Sequence, residues 1–132
     1  MKLVLDTNIY CDFAEGQAEV VDIMAEHGEL MFMPSIVLGE LVFGFMKGTR
    51  QSFNERKLQE VIRVLQIALI SIDESIARKY AAIYNALLKK GTKIPINDVW
   101  IAASCAEVGG TLLTRDRHFE CVDGIDLWLV GQ

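Results

Sequence analysis

The sequence predicts an α/β domain, a three-layer α/β/α sandwich built on a short central parallel sheet. Three observations carry that expectation. Short apolar runs at Lys2 to Leu5, Leu30 to Met33, Ala68 to Ile72 and Thr111 to Thr114 alternate with longer stretches whose apolar residues recur at helical spacing, the order of β-α-β units. The runs lack the polar alternation of a half-solvated strand, so helices are expected to cover both faces of the sheet. At 132 residues the chain fits one domain, 1–132, able to bury roughly two-thirds of its unfolded surface.

Taken in order, Lys2 to Leu5 reads as the first strand and Asp6-Thr7-Asn8 as the polar turn at its C-terminal end. Glu15 to Glu26 carries Val20, Val21 and Met24 on one helical face and stops at Gly28. After the strand Leu30 to Met33, Pro34-Ser35 opens a helix, Ile36 to Met46, that is apolar nearly all round except at Glu40. Such a helix is expected to be buried or to pack on another chain. Lys47 to Arg50 is a basic connection, and Ser52-Phe53-Asn54-Glu55 matches a capping box ahead of a helix with Leu58, Val61, Ile62 and Leu65 on one face. Ala68 to Ile72 returns as a strand. Asp73 stands where it would cap the next helix, whose stripe of Ile76, Tyr80, Ile83, Tyr84, Leu87 and Leu88 closes at Gly91. Pro95 to Val108 is a helix stopped by Gly109-Gly110, with Ala102, Ala103 and Ser104 small enough to lie close to a sheet. Thr111 to Thr114, the polar turn Arg115 to His118 and a last strand, Asp126 to Val130, complete the chain.

The hydrophobic fraction of 52% and mean hydropathy of +0.27 are high, yet no apolar run approaches the roughly 20 residues of a membrane span. Buried helices, a large core and an apolar surface kept for a partner are expected instead. Met1 leads straight into a strand without a secretion signal, which points to a cytoplasmic location. Cys11, Cys105 and Cys121 are odd in number and lack CxxC spacing, so buried, reduced thiols are expected rather than disulfides or zinc. His27 and His118 are too few and too far apart in sequence to build a metal cluster, and His27 is expected at a helix end facing water. A net charge of -5 excludes broad coating of nucleic acid but not a local basic rim.

Four acids stand where solubility does not need them. Asp6 and Asp116 each follow an apolar run, Glu40 interrupts an apolar helix, and Asp98 lies in the first turn of a helix, where the dipole favours an anion. Each has an ordinary reading as well: Asp6 and Asp98 as caps, Asp116 as a turn residue, Glu40 on an exposed stripe. Glu40 is the hardest to dismiss, because a buried carboxylate needs a partner and no Lys or Arg lies within one helical turn of it. Carboxylates that crowd together need a cation. Oxygen ligands without interleaved His or Cys point to Mg2+ or Mn2+, the ions of phosphodiester hydrolysis.

Leu3-Val4-Leu5-Asp6-Thr7-Asn8, Ser35-Ile36-Val37-Leu38-Gly39-Glu40-Leu41 with Phe43-Gly44, Pro95-Ile96-Asn97-Asp98 with Ile101-Ala102-Ala103, and Leu113-Thr114-Arg115-Asp116-Arg117-His118-Phe119 resemble, in order, the motifs of the PIN-domain nucleases. The chain is most similar to the VapC-type toxins of prokaryotic toxin–antitoxin pairs. The resemblance runs from Met1 to about Val130 and implies a PIN-like fold with Asp6, Glu40, Asp98 and Asp116 as the acidic site. These four would bind Mg2+ or Mn2+ and activate water to cut single-stranded RNA. It also implies supporting hydroxyls, matched by Thr7 and Thr114, a homodimer, and a small antitoxin protein that covers the site. Asn8 is open between a role at the site and capping. Arg115 and Arg117 flank Asp116 and are the best-placed of the basic residues to contact phosphates; Lys47, Arg50, Arg56, Lys57, Arg63, Lys89, Lys90 and Lys93 form a wider set. Two rivals stand beside the endoribonuclease: a noncatalytic PIN-like module binding RNA or protein, and a phosphotransfer domain with Asp6 as covalent nucleophile. The phosphatase version of the latter wants a second acid where Asn8 stands.

Overall fold

In a computed structural model that describes residues 1–131, Leu3, Val4 and Leu5 are fully buried. Successive strand residues point to opposite faces, so both faces of their strand, β1 (Lys2–Leu5), are covered. Along the chain follow α1 (Thr7–Ala14), α2 (Ala18–His27), β2 (Leu30–Pro34), α3 (Ser35–Lys47), α4 (Gln51–Val64), β3 (Ala68–Ile70), α5 (Glu74–Lys90), α6 (Ile96–Val108), β4 (Thr111–Thr114), a short 3-10 turn (Arg117–Cys121) and β5 (Asp126–Leu129). The five strands run parallel in the order β3-β2-β1-β4-β5, so the α/β class and the parallel sheet are as expected. Val4 aligns with Phe32 on one side and Leu112 on the other.

That order places the site. From β1 the chain builds outward through β2 to β3, then returns to lay β4 on the other side of β1. The carboxyl ends of β1 and β4 therefore flank a switch in winding direction, where a crevice opens in sheets of this kind. Close approach between them depends on Gly110, since a Cβ there would stand 2.9 Å from Val4 Cγ2 and 3.2 Å from the Lys2 carbonyl oxygen.

Several elements differ from the sequence reading. In the sequence Asp6-Thr7-Asn8 reads as a polar turn, but α1 starts at Thr7, and the next helix begins at Ala18 rather than Glu15. The capping box is not formed. Helix α4 starts at Gln51, Arg50 lies over the Phe53 ring at 4.1 Å, and Glu55 Oε2 is buried without a hydrogen bond from any described residue. Asp73 does cap α5, accepting from the Ile76 N–H at 2.9 Å, and Gly91 ends it at φ +71°. Its stripe packs on α6 through Tyr80 stacked on Trp100, 3.8 Å between ring centres, whereas Leu88 points outward, 52% exposed.

Helix α3 buries only Val37 and Leu41, leaving Phe43 and Met46 exposed. Cys105 and Cys121 are at least partly buried, but Cys11 is exposed. His27 does end α2, edge-on to Trp128. No helix among the described residues is long and apolar enough to cross a membrane.

Two glycines give opposite expectations. Gly110→Ala should destabilise the chain by about 1–3 kcal/mol, because the new methyl overlaps Val4 in a packed core. Gly44→Ala, within α3 and with nothing within 4 Å of the added carbon, should stabilise it by about 0.5–1 kcal/mol through helix propensity. Urea unfolding followed by circular dichroism reads both, and equal midpoints for the two variants would refute this packing of β4 on β1.

Candidate functional site

Asp6 sits one residue past β1, where its N–H donates to the Leu113 carbonyl at 3.2 Å and so continues the pairing with β4 into the crevice. It is 4% exposed. Its Oδ1 accepts from the Thr7 N–H at 2.8 Å, which makes it the N-cap of α1. Its Oδ2 accepts from the Thr114 hydroxyl at 2.6 Å and from the Asn8 amide at 3.3 Å. Capping and membership of the acidic cluster were alternatives in the sequence; the geometry combines them.

Glu40 reaches the same place from α3. Its Oε1 accepts from the Thr7 hydroxyl at 2.6 Å and its Oε2 from the Asn97 amide at 3.2 Å. The partner that its apolar helix demands is thus a pair of neutral donors, and the carboxylate is half-buried. Asp116 lies two residues past β4, its N–H held by the Thr114 hydroxyl at 3.0 Å, while its Oδ1 accepts from the His118 N–H at 2.9 Å. Asn8 ties the turn down as well, accepting from the Arg115 N–H at 3.1 Å. The four acids therefore converge from β1, α3, α6 and β4.

Asp98, in the first turn of α6, is 9% exposed. Its Oδ2 is buried and has no hydrogen bond from any described residue. His118 Nδ1 stands 3.4 Å from it, an ion-pair separation too long for a well-formed hydrogen bond. The same nitrogen is 3.0 Å from Asp116 Oδ1. His118, set aside in the sequence because two histidines so far apart build no metal cluster, is brought beside Asp98 and Asp116 by the 3-10 turn. The signal available was its place two residues after Asp116, a spacing at which an aspartate holds a turn by accepting from the backbone.

Burial dominates the electrostatics. It raises the Asp6 carboxyl above its ordinary value of 3.8, and the charges of Glu40 and Asp116 push the same way against the bonds from Thr114 and Thr7. Asp98 is pushed up to about 6, first by burial and then by Asp6 and Asp116, with His118 opposing. Arg115 pairs with Asp12 of α1 and Arg117 with Glu120 in its own turn.

These residues fit a divalent cation. One donor atom each from Asp98, Asp116 and His118 lies within 4.8 Å of the others, Asp98 Oδ2 lacks a hydrogen bond, and oxygen-rich sets of this size suit hard cations.

A parallel α/β sheet with carboxylates gathered at its switch point defines a class of domain able to hold such an ion. Residues 3–125 match the family model described as PIN domain, and the chain belongs to that family. It is 26% identical over 125 residues to ribonuclease VapC5 of Mycobacterium tuberculosis (strain ATCC 25618 / H37Rv), covering 92% of this chain and 87% of that one. Among solved structures it is similar to DNA-bound VapBC from Salmonella typhimurium, with a TM-score of 0.87, 25% identity and 97% of each chain covered. It also resembles VapBC-5 from M. tuberculosis, a member of the VapBC family of toxin-antitoxin systems, with a TM-score of 0.74, 25% identity and 98% of each chain covered.

The raised carboxyls make stability depend on pH in a stated direction. Folded Asp98 ionises near pH 6 against 3.8 in the unfolded chain, so the folded state holds that proton more tightly. Its contribution is present in acid and lost as pH rises through about 6. In chelator, the melting temperature should fall between pH 5 and 7.5. Asp98→Asn should raise it by a few degrees at pH 7.5 and flatten the slope; an unchanged slope in the variant would contradict the assignment.

Proposed function

We propose that the chain is a metal-dependent endoribonuclease, the toxin of a type II toxin–antitoxin pair, acting in the cytoplasm as a single domain over residues 1–132. The observation that carries this reading is the buried, unbonded Asp98 Oδ2 among acids held by neutral donors, in a PIN-domain chain. Ribonuclease VapC5 and the two VapBC structures support the activity and the antitoxin partner.

In this reading Asp6, Glu40, Asp98 and Asp116 hold Mg2+ or Mn2+. When bound, such an ion supplies Lewis acidity and lowers the pKa of water. The other residues position and orient. The Thr114 hydroxyl fixes Asp6 and is itself fixed to the Asp116 backbone; Thr7 bridges Asp6 and Glu40 through its N–H and hydroxyl; Asn97 and Asn8 hold Glu40 and the turn. Arg115 and Arg117, on either side of Asp116, take phosphate oxygens of single-stranded RNA in place of their present carboxylate partners, Asp12 and Glu120.

Exposed apolar side chains supply surface for the protein partners. Phe43 and Met46 stand out from α3, and Leu88 and Ile96 border an apolar pocket of about 300 Å³ between α5 and α6, which suits a homodimer and the antitoxin.

RNA cleavage with added Mn2+ should fall at least about 100-fold in Asp6→Asn and in Asp116→Asn, with circular dichroism unchanged, and excess EDTA should abolish it in the parent. Undiminished cleavage by both folded variants would end the proposal.

A further inference from the structure

We propose that His118 donates through Nδ1 to the divalent cation held by Asp98 and Asp116, and that this nitrogen turns the site toward first-row transition ions over Mg2+. The proposal rests on the metal-site reading above and adds to it a residue and a selectivity.

Ligands at right angles around a six-coordinate ion with bonds of about 2.1 Å stand about 3 Å apart, and opposite ones about 4.2 Å. His118 Nδ1 is 3.0 Å from Asp116 Oδ1 and 3.4 Å from Asp98 Oδ2, both near the separation that neighbouring ligands keep, and one donor atom of each residue lies within 4.8 Å of the others.

A plain histidine–aspartate pair would account for the Asp116 distance. It serves Asp98 Oδ2 poorly: that oxygen is buried, faces the same nitrogen across 3.4 Å, a contact that lowers the Asp98 carboxyl pKa but is too long for a well-formed hydrogen bond, and has no other donor among the described residues. Leaving such an oxygen unsatisfied is expensive, and a shared cation satisfies it together with the imidazole. The backbone prepares the ring for this. The His118 N–H is anchored on Asp116 Oδ1 at 2.9 Å, so the imidazole is held by the carboxylate beside which it would ligate. With the ring proton on Nε2, the Nδ1 lone pair is available.

Selectivity follows from donor chemistry. Carboxylates and water suit Mg2+, whereas imidazole is a ligand for transition ions. Mn2+ stands at the weak end of the first-row order, so a preference for it over Mg2+ is a demanding reading.

The test uses the full chain, free of partner, loaded with Mn2+ alone. Electron spin-echo modulation should show a nitrogen-14 coupling on the bound Mn2+ that vanishes in His118→Gln, while both proteins keep the same circular dichroism. Competition of Mg2+ against Mn2+ should show the preference for Mn2+ reduced about tenfold in His118→Gln and in His118→Asn. Mn2+ bound without nitrogen coupling, coupling that survives the substitution, or an unchanged preference overturns the role of His118 and leaves the acidic site standing. Failure of Mn2+ to bind at all overturns the metal site itself, and this proposal with it.

Discussion

Carboxylates that repel one another and are withheld from water set the terms for this fold. Two unit charges 4 Å apart interact by about 4 kcal/mol at an effective dielectric near 20, and Asp6 and Asp98 are both nearly buried. The chain holds Asp6 and Glu40 with neutral donors: the Thr114 and Thr7 hydroxyls, the Asn8 and Asn97 amides, and the Thr7 backbone N–H. Such donors fix where a carboxylate points without cancelling its charge. Lysine or arginine at the same places would satisfy the acids and remove their appetite for an external cation. Burial answers through the proton instead, and Asp98 with a carboxyl near 6 is its clearest trace.

Holding repelling groups in register needs elements that cannot yield. β1 supplies the first, because Leu3, Val4 and Leu5 are fully buried and fill both faces of the sheet centre. β4 supplies the second through Leu112 and Leu113, equally buried, with Thr114 sealing the pair by reaching from β4 to Asp6. Helices α3 and α6 bring the other two acids from outside the sheet. They are joined across the cluster by the bond from Asn97 to Glu40, and Ala102, Ala103 and Ser104 of α6 are completely buried.

Legibility followed the strength of local signals. The strands were plain because a covered parallel sheet demands unbroken apolar runs, and α5 because Asp73 and Gly91 mark its ends. Helix α1 was hidden: Asp6-Thr7-Asn8 reads as a turn, and Thr, Asn, Ile, Tyr, Cys, Asp and Phe in Thr7–Ala14 are all middling or poor helix formers. A helix of eight residues is stabilised by its neighbours rather than by propensity. The apparent capping box failed for a similar reason, since Arg50 stacked on Phe53 starts α4 earlier than Ser52 would. The four acids could be singled out as misplaced for solubility, but the neutral scaffold around them joins residues up to 108 apart in sequence. His118 escaped because two histidines suggest no metal cluster until a 3-10 turn folds one back on the acids.

The arginines show how closely the charge balance is drawn. Net charge is -5, and a polyanion approaching the crevice meets carboxylates before it meets a cation. Arg115 and Arg117 flank Asp116 in sequence and pair with Asp12 and Glu120. An exposed ion pair such as Arg117–Glu120 contributes at most about 1 kcal/mol, so a phosphate can displace it at small cost. The gain is equally small, because one anion replaces another on the same guanidinium. In the proposed function these arginines would therefore orient an RNA strand without drawing it in. On that proposal, the attraction that brings a phosphodiester against four carboxylates has to come from positive charge added to the cluster itself.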